Sequence, residues 1–293
     1  MKTINKYYLI AFFPLLFLTT LFVNAEPIQF KEKVQAKDKT IEQVEQVEQG
    51  KLIWADLYTS DVVSSLNFYT DTFGWTAKKF KKSTGDYHLL FDGDKAIAGV
   101  LERSVQRNKT EAALWVGSVT THNIQEKVNN AANNKATVIL NVHDFALYGK
   151  RAVIADPQGA IISLLDLSNS DIAQDKISHK WDWAQLFSTN IKESLSFYHQ
   201  TFGYNTEKIK VNSNNYYLSQ QGEIRASIVK LPASFEQRAR WINFVEVDDL
   251  SDVLSKATKN KALIFYQPKD KKLAIIADPN GALIGLTELE SEK

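Results

Sequence analysis

The chain has 293 residues, of which 44% are hydrophobic, a formal net charge of +1 and no cysteine. That length suggests about two domains at roughly 100–200 residues each. The charge balance gives no electrostatic case for a nucleic-acid partner, and the lack of cysteine excludes disulfides, thiol catalysis and thiolate metal sites.

Lys2 and Lys6 open the chain, and Tyr7 to Val23 is almost wholly apolar. Val23-Asn24-Ala25 then places small residues before Glu26, so residues 1–25 read as a secretory signal peptide. The protein is therefore expected to be exported, periplasmic or secreted. The alternative is an uncleaved membrane anchor, although the run is near the lower length limit for a bilayer span and Pro14 interrupts it. No cysteine follows the run, which excludes a lipidated N-terminus. Cleavage would remove two lysines and take the formal charge from +1 to −1. Residues 26–50 are rich in Lys, Glu and Gln and read as a polar linker.

A first domain is expected over 51–167. Trp54 to Thr59 alternates as a strand does. Asp61 is a good N-cap for a helix over Val62–Phe73, with Leu66, Tyr69 and Phe73 on one face and Gly74 as the closing residue. Strands are predicted near Thr76–Phe80, Tyr87–Phe91 and Ala96–Leu101, separated by turns at Gly85 and Gly93. Lys78, Lys79, Lys81 and Lys82 suit a solvated strand edge. The order then recurs: a strand over Leu114–Val119, a helix over Asn123–Asn133, and strands near Thr137–Val142, Ala152–Ala155 and Ile161–Leu165. The unit is βαβββ, used twice. A polar connector over 168–178 leads to a second domain over 179–289.

The second domain repeats the first. Residues 54–75 and 183–204 align without a gap and are identical at ten of 22 positions. Trp241 corresponds to Trp115, and Asp278-Pro279-Asn280-Gly281-Ala282 to Asp156-Pro157-Gln158-Gly159-Ala160. Repeats fix the architecture, so a site in one half predicts a site in the other.

A Trp-led strand, Asp or Asn, a helix ending Phe-Tyr-x-x-x-Phe-Gly-Trp/Tyr and a closing Ala-Asp-Pro-x-Gly-Ala resemble the vicinal oxygen chelate superfamily, which includes glyoxalases, bleomycin-resistance proteins and extradiol dioxygenases. The resemblance covers residues 51–289. It implies an α+β fold of two tandem domains, each a pair of βαβββ modules forming an open, cup-shaped mixed sheet with helices outside. It also implies where metal-using members carry their four ligands. Those places fall here on Trp54 and Trp183, on Ser163 and Gly285, near Val116 and Ile242, and around Ala98–Val100 and Ala226–Ile228. None is an imidazole or carboxylate, the groups a zinc, iron, nickel or manganese site needs. No metal, cofactor or catalytic residue is therefore assigned. His88, His122, His143, His179 and His199 show no duplicated position and no metal-ligand spacing.

Candidate ligand contacts are Trp54, Asp56 and Tyr58 in the first half and Trp183, Gln185 and Phe187 in the second. Each set alternates along its strand and so faces one side of the sheet. Aromatic faces stack on flat molecules, and Asp56 or Gln185 could orient one. Equally, Asp56 and Gln185 could anchor a neighbouring strand, and Trp115 and Trp241 read as core or interface fillers. The expected function is binding of a small, partly apolar molecule by a monomer or homodimer. One alternative is a metal-dependent lyase, isomerase or dioxygenase; another is a non-catalytic protein-interaction module.

Overall fold

The computed structural model describes residues 48–82, 85–103, 113–145, 149–167, 177–178, 180–209, 215–231, 238–269 and 272–288. The expected signal peptide and most of the expected linker lie outside the described residues.

The first half runs β1 (Leu52–Thr59), α1 (Val62–Phe73), β2 (Thr76–Lys82), β3 (Gly85–Asp92), β4 (Lys95–Glu102), β5 (Ala113–Thr120), α2 (Ile124–Asn133), β6 (Thr137–Asp144), β7 (Lys150–Ala155) and β8 (Ile161–Asp166). The second runs β9 (Trp181–Ser188), α3 (Ile191–Phe202), β10 (Asn205–Lys208), β11 (Tyr216–Gln220), β12 (Glu223–Lys230), β13 (Arg240–Val247), α4 (Leu250–Lys259), β14 (Leu263–Tyr266), β15 (Leu273–Ala277) and β16 (Leu283–Glu288). Each half makes one open eight-stranded mixed sheet, in the orders β2-β3-β4-β1-β5-β8-β7-β6 and β10-β11-β12-β9-β13-β16-β15-β14. The two modules of a half join where their first strands pair antiparallel, β1 with β5 and β9 with β13.

Local chemistry sets the element ends. Asp61 accepts from the Ser64 amide and Asn190 from the Glu193 amide, each satisfying an orphan donor of its helix. Gly74 and Gly203 then close α1 and α3 at φ 72° and 77°, where a side chain would be strained. The buried face of α1 carries Ser65, Phe68, Tyr69 and Thr72, while Leu66 and Phe73 are only partly covered. Strand β2 is indeed a sheet edge, and its Lys79 pairs with Asp86 on β3 at 2.5 Å.

One hydrophobic core runs through both halves on the helix side of the sheets, from Leu57 and Trp115 to Leu186 and Ile284. Duplicated residues tie it together by exchange. Tyr69 on α1 donates to Asp278 in the closing turn of the second half at 3.0 Å, and Tyr198 on α3 donates to Asp156 in that of the first at 3.1 Å. Each tyrosine oxygen also accepts from an indole N–H of its own half, Trp115 at 2.7 Å and Trp241 at 2.8 Å. The other carboxylate oxygen of each Asp caps its turn, accepting from the amides of Gln158 and Ala160 or of Asn280 and Ala282. The side chains of Gln158 and Asn280 reach across as well, to Ser194 at 2.6 Å and Ser65 at 2.9 Å. At equivalent positions of β5 and β13 the sheets themselves approach so closely that a Cβ on Gly117 would sit 2.2 Å from the Asn243 amide oxygen. The Asp-Pro-x-Gly segments, read from sequence as turns alone, are therefore also the joints between halves.

The linker boundary is less sharp than composition suggests. Gly50 accepts at its carbonyl from the Tyr204 hydroxyl at 3.0 Å, and Arg225 meets Glu48 at 3.5 Å.

Two outcomes follow for the joints. Tyr69→Phe strands the Trp115 N–H and an Asp278 oxygen, so it is expected to lower stability by about 1–3 kcal/mol, read from the urea midpoint, with Tyr198→Phe behaving alike. Burial raises the Asp278 carboxyl above its ordinary 3.8, outweighing the amides and Tyr69 that pull it down. A carboxyl raised in the native state favours folding fully below 3.8 and loses that contribution as pH climbs through its native value. The stability of the parent minus that of Asp278→Asn should thus fall as pH rises from about 3 towards 7, then level.

Candidate ligand-binding site

The face of each sheet away from the helices is the cup. On β1 and β9, alternation puts Trp54, Asp56 and Tyr58, and Trp183, Gln185 and Phe187, on that face, while Ala55, Leu57, Ala184 and Leu186 enter the shared core. The two cups carry different chemistry.

In the first, Arg151 joins the candidates Asp56 and Tyr58, and Tyr87 bonds Asp56; the sequence singles out neither Arg151 nor Tyr87 as a site residue. Asp56 is 1% exposed, accepts from the Tyr87 hydroxyl at 2.8 Å and forms an ion pair with Arg151. Arg151 also donates to Tyr58 at 2.9 Å. Burial works against the Arg151 charge, but Asp56, Tyr58 and Tyr87 outweigh it and hold the guanidinium above its ordinary range. Burial, reinforced by the Asp56 charge, raises the Tyr58 hydroxyl. The guanidinium carbon lies 4.4 Å from the centre of the Phe145 ring, which also meets Trp54 edge-on at 6.2 Å. Trp54 is fully buried in a cluster with Tyr87, Leu165, Leu167 and Ile177. Ile177, read as connector, bridges to Ala96 and completes this filling. Two buried polar atoms of this cup have no hydrogen-bond partner among the described residues: the hydroxyl of Ser118, opposite Trp54, and the Nε of Arg151.

In the second cup the same positions are neutral. Gln185 stands for Asp56, Phe187 for Tyr58 and, four residues before the alanine that ends each strand, Leu273 for Arg151. Trp183 donates to Ser227 at 3.3 Å and meets Tyr217 edge-on at 6.0 Å. Gln185 lies beside Ser227 and opposite Ile242. It is 8% exposed, and its carboxamide takes no hydrogen bond from the described residues.

His88, His143 and His199 stay apart from both arrangements. His143 bonds the Asn141 carbonyl of its own strand, and His199 the Tyr204 carbonyl beyond its helix. His88 shares its strand with Tyr87 but points to the other face. Among the described residues no group of three His, Asp or Glu could hold a metal ion. The positions that the resemblance assigns to ligands do not fit one either. A Cβ on Gly285 would lie 2.2 Å from the Phe244 ring, and one on Gly99 would lie 2.1 Å from the Tyr87 hydroxyl and 2.2 Å from Asp56. Aromatic groups occupy the space a ligating side chain would need.

Residues 51–164 match the model of the Glyoxalase/Bleomycin resistance protein/Dioxygenase superfamily. The first half is similar in sequence to this superfamily. The second half repeats the superfamily fold. "Putative glyoxylase CFP32" of Mycobacterium bovis is 22% identical over 247 residues, 81% of this chain and 94% of that protein. Anthracycline biosynthesis protein DauV of a Streptomyces species is 23% identical over 259 residues, 82% of this chain and 94% of that one. The Mn(II)-bound glyoxalase of Novosphingobium aromaticivorans superposes with a TM-score of 0.57 at 11% identity, covering 82% of each chain. The 2,3-dioxygenase LapB of Pseudomonas sp. KL28 gives 0.55 at 12%, covering 83% of this chain and 93% of that one. At such identities the superfamily structures establish the fold alone.

A transplant tests the first cup. Arg151→Leu leaves the Asp56 carboxylate buried without its cation and should cost about 3–5 kcal/mol. Adding Asp56→Gln, which gives this half the Leu and Gln of the other, should recover most of that loss in the same denaturation measurement.

Proposed function

We propose that the protein is an exported, metal-free superfamily member that holds a small, partly apolar molecule against a cup by stacking and a few hydrogen bonds, without turnover. The observation that carries this reading is Gln185, nine-tenths buried between Trp183 and Phe187, with a carboxamide that no described residue satisfies. That carboxamide is not sealed from solvent, so a ligand group placed there would exchange water for a fixed hydrogen bond. Aromatic side chains on both flanks suit a flat ligand. The names of the relatives, a glyoxylase and an anthracycline biosynthesis protein, accord with a small organic molecule. The basic start, apolar run and small residues before Glu26 support export.

A second reading, a non-catalytic interaction module, draws support from the first cup, which its own side chains fill.

Titration of aromatic amides and phenols, followed by tryptophan fluorescence, separates the two. Saturable quenching that survives chelator and weakens in Trp183→Phe is expected for a binding protein. A response in neither the parent nor Trp54→Phe nor Trp183→Phe favours the interaction module. One equivalent of iron, manganese, nickel or zinc surviving dialysis would instead restore the metal-dependent alternative. Mass spectrometry of the exported protein should show a chain that begins at Glu26.

A further inference from the structure

Resting on that reading, we infer that the second cup alone binds, and that its ligand is an uncharged, flat molecule whose carbonyl or amide meets the Gln185 carboxamide. The duplication makes the comparison internal. The two cups share a backbone and differ at matched side chains, so those differences isolate what each cup can accept.

In the first cup, a ligand reaching the sheet would have to part the Arg151–Asp56 pair and displace Phe145. Tyr87 also donates to Asp56, and Arg151 also donates to Tyr58, which ties the pair to two phenols. The network occupies the place a guest would take.

The second cup lacks the ion pair and the phenol beside it. Leu273 cannot pair with an acid, Phe187 has no hydroxyl, and Gln185 offers one acceptor and two donors. Its neighbours across the sheet, Ser227 and Ile242, carry no charge. A cationic ligand group beside Gln185 would be desolvated without a counter-ion among these neighbours, which is far more costly than desolvating an amide. Arg240 lies beyond, opposite Phe187 at the strand end. It is the group an anion would seek, so an anionic probe belongs in the test.

Calorimetric titration of the full chain with 2-naphthamide, 2-naphthoate and 2-naphthylmethylammonium decides the matter. One molecule of 2-naphthamide per chain is expected, bound at least about tenfold tighter than either ion, a difference of about 1.4 kcal/mol. Gln185→Leu should weaken it about tenfold while its melting temperature holds or rises. In the double variant Asp56→Gln/Arg151→Leu the stoichiometry should move from one towards two. Preference for the naphthoate, two sites in the parent, or unchanged binding by Gln185→Leu would overturn this inference and leave the binding reading intact. A sharp fall in the melting temperature of Gln185→Leu would show that the amide is a structural anchor and would also overturn the inference. No heat with any of the three compounds would overturn both.

Discussion

Each half of this protein closes its final turn on a tyrosine that the other half supplies. Tyr69 and Asp278, and Tyr198 and Asp156, are buried pairs whose geometry leaves little freedom, because each tyrosine also receives an indole N–H and each aspartate also caps its own turn. Substituting any one member strands a polar group in a dry interior. The halves are thus parts of one object with a common core rather than beads on a string. This accounts for what the duplication preserved: Trp, Tyr and the Asp-Pro-x-Gly-Ala turn all serve the joint.

Among the described residues no such exchange of hydrogen bonds joins the two outer faces, and the two carry different chemistry on the same backbone. One face carries an ion pair closed by phenols and roofed by Phe145; the other carries an amide, a leucine and aromatic rings. Physical chemistry makes these two different kinds of surface. An ion pair tied to two phenols and covered by an aromatic ring is held in place by its own partners, whereas an amide among apolar groups has both a donor and an acceptor to offer.

Much of the scaffold was legible because its signals are local. Asp61 and Gly74 mark a helix by their own backbone preferences, and alternation assigns Trp54, Asp56 and Tyr58 to one face from three residues alone. The tyrosine–aspartate exchange was hidden because its partners are 209 and 42 residues apart, and neither a tyrosine on an amphipathic helix nor an aspartate in a turn needs a distant partner to make sense. Arg151 was missed for a subtler reason. It stands just before Ala152 to Ala155, where a strand is predicted, and a charge at such a place needs no distant partner to make sense. Its mismatch with Leu273 in the repeat was the available clue. Ile177 was hidden by its setting, an isolated apolar residue in a polar connector.

The glycines at 99 and 285 carry a consequence for how this architecture can change. Each gives up its side-chain volume to a neighbouring aromatic group, Tyr87 in one case and Phe244 in the other. No single substitution at either place can project a chelating group into the cup, because the incoming atoms would overlap an aromatic side chain already seated. A larger residue at either glycine would have to be matched by a smaller one at Tyr87 or Phe244, because either change made alone leaves the pair overpacked or hollow.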